Sequence, residues 1–95
     1  MSITTDAWAT WPEGVIARYL TLAHATVDLR YDSGLLRATC GGERCPWQDH
    51  EDPEVSYTDS VAEKERKIDE VLPDLQPRAQ AHAESCRALP RPGRP

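Results

Sequence analysis

Three cysteines and one histidine fall into two short pairs, Cys40-Gly41-Gly42-Glu43-Arg44-Cys45 and His82-Ala83-Glu84-Ser85-Cys86, and this arrangement constrains the fold more than any other feature of the chain. An odd number of cysteines cannot pair off completely within one chain, and the sequence opens with no charged segment followed by an apolar run that would direct it to an oxidising compartment. Metal ligation in a cytoplasmic setting is therefore the expectation. The chain also needs a staple, because 95 residues that are 39% hydrophobic and lack Phe supply little material for a core. Ordering the backbone costs roughly 1–2 kcal/mol per residue, and domains of this size offset part of that with disulfides, a metal or a partner subunit.

The residues around the first pair read as strands. Val15 to Leu22 carries β-branched and aromatic types in rough alternation, and TVDLRYD from Thr26 repeats the pattern, with Val27, Leu29 and Tyr31 on one face and Asp28 and Arg30 on the other. Asp32-Ser33-Gly34 is a turn signal, and LLRATC from Leu35 to Cys40 is a third strand. Short links make these an antiparallel meander. Residues 13 to 25 also fit a helix face through Ile16, Tyr19, Leu20 and Ala23, so helix and strand stay open there.

Gln48 to Tyr57 is acidic, contains Pro53 and reads as an exposed loop. Thr58 or Asp59 is placed to cap an acidic helix through VAEKERKIDEVL, with Val61, Ile68, Val71 and Leu72 on its buried face. Pro73 and Pro77 interrupt that pattern, so a second, C-terminal helix is expected from Pro77 through RAQAHAESCRAL, ending before Pro90. The expected organisation is an N-terminal lead-in over 1–14, whose tryptophans can fold back onto the sheet, a metal-binding domain over 15–89 and a flexible Pro/Arg-rich tail over 90–95. The fold class is α+β.

The two pairs suit one zinc ion. Cys40 and Cys45 stand at the end of a strand around a turn whose glycines can take positive φ, a zinc-knuckle arrangement. His82 and Cys86 are four apart and share one helix face. Four thiolate or imidazole ligands match a tetrahedral structural site, with all positions filled by protein. His50 is the rival fourth ligand and His24 a remoter one. Buried, unligated cysteines are the bland alternative, and a redox pair is disfavoured because Cys40 and Cys45 lack the two-residue spacing of redox motifs.

With these ligands in place, the chain resembles a C2HC-type zinc finger of the strand, knuckle and helix kind, with Cys40, Cys45, His82 and Cys86 at the ligand positions. It departs from the compact finger in the 36 residues between Cys45 and His82, about three times the usual interval, which puts major-groove reading in doubt. The stretches GVIARYLTL, ATVDLRYDSG and AHAESCRAL are also similar to small zinc-finger-like proteins of actinobacteria, a resemblance that implies zinc and no particular activity.

His82-Ala83-Glu84 reproduces the H-x-E element of zinc deaminases, but the Pro-Cys-x-x-Cys element that should follow is absent and four protein ligands leave no position for water. A zinc hydrolase or deaminase-like enzyme is thus the remote alternative, and a non-catalytic binding protein the expectation. A protein-interaction or adaptor module would use Trp8, Trp11 and Trp47 as anchors, bordered by Arg87, Arg91 and Arg94; Trp47 equally suits shielding the metal. A DNA-binding regulator would use Arg37, Arg44, Arg78 and Arg87, with Arg91 and Arg94 of the tail on phosphates. The net charge of −5 and the ten acids against three bases in residues 49 to 74 disfavour nucleic acid unless a single basic face turns away from them. No stretch approaches the ~20 apolar residues that span a bilayer.

Overall fold

A computed structural model describes residues 12–90. Four strands form one antiparallel sheet in the order β1-β2-β3-β4, namely β1 (Val15–Leu20), β2 (Thr26–Asp32), β3 (Leu35–Cys40) and β4 (Gln48–Glu51). Among the described residues a single helix, α1 (Val61–Ser85), crosses one face of it. The architecture is α+β. Trp8, Trp11, Arg91 and Arg94 lie outside the described residues.

Residues 15 to 20 are strand, because β1 can bury Ala17 at the core and pair along β2, with one irregularity between Val15 and Ala17. The β1–β2 connection is closed by Thr21, whose buried hydroxyl accepts the Ala25 N–H at 2.9 Å, while His24 takes a φ of 70°. In the β2–β3 hairpin, Ser33 and Gly34 have φ of 54° and 85°, the positive pair that a two-residue turn of the I′ type requires. That turn sets the register Asp32↔Leu35, Arg30↔Arg37, Asp28↔Thr39. It sends Val27, Leu29, Leu36, Ala38 and Cys40 to the helix side, where all are buried.

The expected loop from Gln48 begins instead as strand β4. Its four residues, QDHE, contain nothing apolar. They pair with β3 because the two inward carboxylates, Asp49 and Glu51, are held by Arg78 of α1 at 2.9 and 2.7 Å. The same guanidinium donates to the His50 carbonyl at 3.3 Å.

The two expected helices are one. Pro73 and Pro77 are four apart, so they share a face, and both are exposed. Each removes a hydrogen bond to the carbonyl four residues back, on Asp69 and Pro73, at about 3 kcal/mol per interior proline. Those carbonyls belong to residues on the solvent side. On the opposite side Leu75, Ala79 and Ala83 recur every four residues at 0%, 0% and 2% exposure, and this buried ridge carries the helix through both prolines.

The cap is Ser60, not Thr58 or Asp59. Its hydroxyl accepts the Glu63 N–H at 3.1 Å and the Glu63 carboxylate accepts the Ser60 N–H at 3.4 Å, a complete capping box. Val61, expected on the buried face, is 68% exposed, whereas Ile68, Val71 and Leu72 pack at the core margin. The helix also stops short of its expected end: Cys86 is the C-cap, with extended backbone and its N–H on the His82 carbonyl at 2.9 Å. Among the described residues only Leu29, Leu36, Leu75 and Val27 are large and fully buried, so the core is as thin as the composition implies.

Candidate metal centre

Two backbone devices bring the two pairs together. Cys40 ends β3, opposite Val27 in register, and its N–H donates to the Trp47 carbonyl at 3.3 Å. The chain then turns through Gly42 to Cys45, whose N–H returns to the Gly42 carbonyl at 3.1 Å. Positive φ in this turn falls on Arg44, at 63°, and not on Gly41 or Gly42 as the sequence led us to expect.

Gly42 serves a different purpose. A Cβ built there would lie 2.6 Å from the Ala88 Cβ and 3.0 Å from the Ala88 carbonyl oxygen. The bare backbone lets residues 86–90 run against the turn, with Gly42 bridged to Pro90 and the Glu43 N–H on the Leu89 carbonyl. This post-helical strap, expected to be helix, is the part of the site that the sequence reading missed. Its signals were Pro90 and the glycine pair.

Ligand atoms of Cys40, Cys45, His82 and Cys86 all lie within 4.8 Å of one another. Cys40 Sγ is 3.7 Å from Cys86 Sγ, Cys86 Sγ is 3.8 Å from Cys45 Sγ, and Cys45 Sγ is 3.4 Å from His82 Nε2. A tetrahedron with Zn–S of about 2.3 Å and Zn–N of about 2.0 Å has edges of about 3.8 Å between sulfurs and about 3.5 Å between sulfur and nitrogen. The cluster can coordinate a single metal ion.

Its electrostatics are uneven. Cys40 is buried, and desolvation pushes its pKa up to about 12, against the opposing hydrogen bond from the Gly42 N–H, 3.4 Å from Sγ. Cys45 is half-buried, and its pKa is held below the ordinary thiol value chiefly by the Trp47 backbone N–H. A bound cation would favour the thiolate at every one of these positions. Trp47 also stacks on the His82 ring, centroids 4.6 Å apart and planes 11° from parallel, which covers the imidazole and fixes its rotation.

The remaining expected site residues disperse. His50 is exposed on β4 and His24 exposed in the β1–β2 turn, and neither joins the cluster. Glu84, the acid of the H-x-E element, is exposed and accepts from Gln80 at 3.2 Å. Arg37 lies on the sheet face away from α1, Arg44 and Arg87 are exposed beside the metal cluster, and Arg78 is engaged by Asp49 and Glu51. The four arginines expected to track DNA thus do not share a face.

The site defines an α+β domain with a Cys3His cluster able to take one metal. Compared with known protein families, characterised proteins and solved structures, the chain matches none, so the likeness to C2HC fingers rests on the four ligand residues and their setting. Among the described residues no helix is long and apolar enough to cross a membrane.

Proposed function

We propose that this chain is a non-catalytic binding module of the cytoplasm, closed by one structural zinc ion on Cys40, Cys45, His82 and Cys86, and that it acts by contacting another protein. The observation that carries the zinc reading is the match between the ligand-atom separations of 3.4, 3.7 and 3.8 Å and a tetrahedral site. Two further features support it. Four protein ligands leave no open position at which zinc could activate water, and Trp47 on His82 limits solvent access to the imidazole. The protein-binding reading is supported by the engagement of Arg78 in the fold, which leaves it unavailable to phosphates.

Native mass spectrometry before and after a strong chelator, with circular dichroism on both samples, tests the zinc. One zinc per chain and loss of structure on its removal is the expected result. A metal-free protein with unchanged structure would overturn the reading and return the cysteines to core packing.

A further inference from the structure

Among the described residues the sheet is covered on one face, by α1, and the strand register puts an unusual row on the other. Arg30 of β2 is directly opposite Arg37 of β3, which is directly opposite His50 of β4. Beside them Thr39 pairs with Gln48. Four other cations are matched with carboxylates, Arg18 with Asp28 at 2.7 Å, Lys67 with Asp59 at 2.7 Å, Arg66 with Glu70 at 2.8 Å and Arg78 with two acids, whereas Lys64 sits by the Tyr31 ring and Arg87 is, among the described residues, an isolated exposed side chain. Among the described residues neither Arg30 nor Arg37 has such a partner.

Like charges directly opposite in a sheet are destabilising. In a chain with 16 acids and 11 Lys or Arg, two arginines set directly opposite each other with no carboxylate of the described residues in ion-pair range, although Asp28 and Asp32 flank Arg30 on the same strand face, go against the supply of charge. An external anion between the guanidinium groups removes that repulsion and uses their planar donors in pairs.

We infer that the open sheet face is a docking surface for an acidic segment of a partner protein, seated on Arg30 and Arg37 with His50, Thr39 and Gln48 alongside. The inference rests on the protein-binding reading above and names the chemistry of the partner. The row crosses two strand spacings, about 10 Å, the reach of two or three carboxylates on a short peptide. A nucleic acid fits less well. Among the described residues this face has no aromatic side chain on which a base could stack, since Tyr19 packs against the core and Tyr31 lies beside Lys64 of α1.

The test is a backbone amide NMR titration of the zinc-loaded chain with hexaglutamate at low ionic strength, alongside hexalysine and a short oligothymidylate. Hexaglutamate is expected to shift Arg30, Arg37, Thr39, Gln48 and His50, with the response lost at about 0.3 M salt. Arg30→Gln/Arg37→Gln should weaken that binding at least about tenfold while keeping its metal and unfolding at the same or a higher temperature. Should the double variant fold poorly, Arg37→Gln alone carries the comparison. Shifts elsewhere, no shifts, or binding indifferent to these substitutions would overturn the proposal, as would oligothymidylate binding the row more tightly than the peptide. Metal content measured on the same samples keeps the two readings apart: a folded, zinc-free protein that binds hexaglutamate at this row refutes the zinc and not the surface.

Discussion

Between Leu75 and Cys86, α1 and its cap bury Leu75, Ala79, Ala83 and Cys86 against the sheet, whereas between Val61 and Leu72 no side chain of the same helix is fully buried. The first stretch ends in the ligand cluster. The second is held by the Ser60 capping box, the Lys67–Asp59 and Arg66–Glu70 pairs, and Lys64 placed 5.7 Å from the Tyr31 ring centre. Beside it lies an open groove of ≈ 500 Å³ lined by Ile16, Tyr31, Ile68 and Leu72. One helix is therefore anchored at its C-terminal half by close packing beside the ligand cluster, and at its N-terminal half by a cap and local surface pairs that each contribute little. A thin core concentrates packing beside the candidate metal centre.

The largest expected effect follows from removing a ligand. Cys40→Ser or His82→Ala should abolish the cooperative thermal transition and the bound zinc, because structural zinc contributes on the order of 10 kcal/mol of apparent binding energy against a total stability of about 5–15 kcal/mol for a domain. A near-wild-type transition in both variants would break the comparison at its stronger end. Next come the apolar anchors. Leu75→Ala should cost about 2–5 kcal/mol in chemical denaturation, and Leu72→Ala, three residues earlier and only half-buried, markedly less. Equal costs would mean that the two halves are packed alike.

What the sequence disclosed, and what it hid, divides along the same line. The meander and its Ser33-Gly34 turn were legible because alternation and turn chemistry act over a few residues. So was the convergence of Cys40, Cys45, His82 and Cys86, since each pair is fixed by local spacing. Strand β4 was hidden because Asp49 and Glu51 have their partner in Arg78, whose distance along the chain no local pattern reports. The unbroken helix was hidden because its two prolines are tolerated by the Leu75–Ala79–Ala83 ridge, a tertiary fact. Ser60-Val61-Ala62-Glu63 was readable as a capping box and was passed over for its neighbours. The strap over Gly42 left only a glycine and a proline as traces, neither of which names its contact.

That strap gives a sharper test of the metal end. Gly42→Ala places a methyl group 2.6 Å from the Ala88 Cβ, so residues 86–90 must move and draw Cys86 with them. Overpacking of this kind costs about 1–3 kcal/mol, and zinc affinity should fall with stability. Gly41→Ala is the control: it is exposed, lacks a positive φ, and its new Cβ would stand 3.4 Å from the Thr26 carbonyl oxygen, so near-native stability is expected. Equal loss in both would show that the turn is sensitive in general and not through the strap.

The smallest effects belong to the N-terminal half. Ser60→Ala removes the acceptor for the Glu63 N–H and should cost about 1 kcal/mol, read out as faster amide exchange over Val61 to Ile68 with exchange near Ala83 unchanged. Asp59→Asn should cost less. The Asp59 pKa lies below the ordinary carboxylate value, first because Lys67 hydrogen-bonds it and then through the Ser56 N–H. A depressed carboxylate pKa stabilises the fold fully above the unfolded-state value and loses that contribution only as pH falls through the folded one. In that acid range the zinc thiolates would also take up protons, so acid titration cannot separate the pair from the metal site. Substitution at neutral pH can, and the expected outcome is faster exchange confined to the first turns of α1 with full zinc occupancy. Zinc loss in Asp59→Asn would show that the two halves of the helix are coupled, and that the prolines between them do not insulate the metal site from the cap.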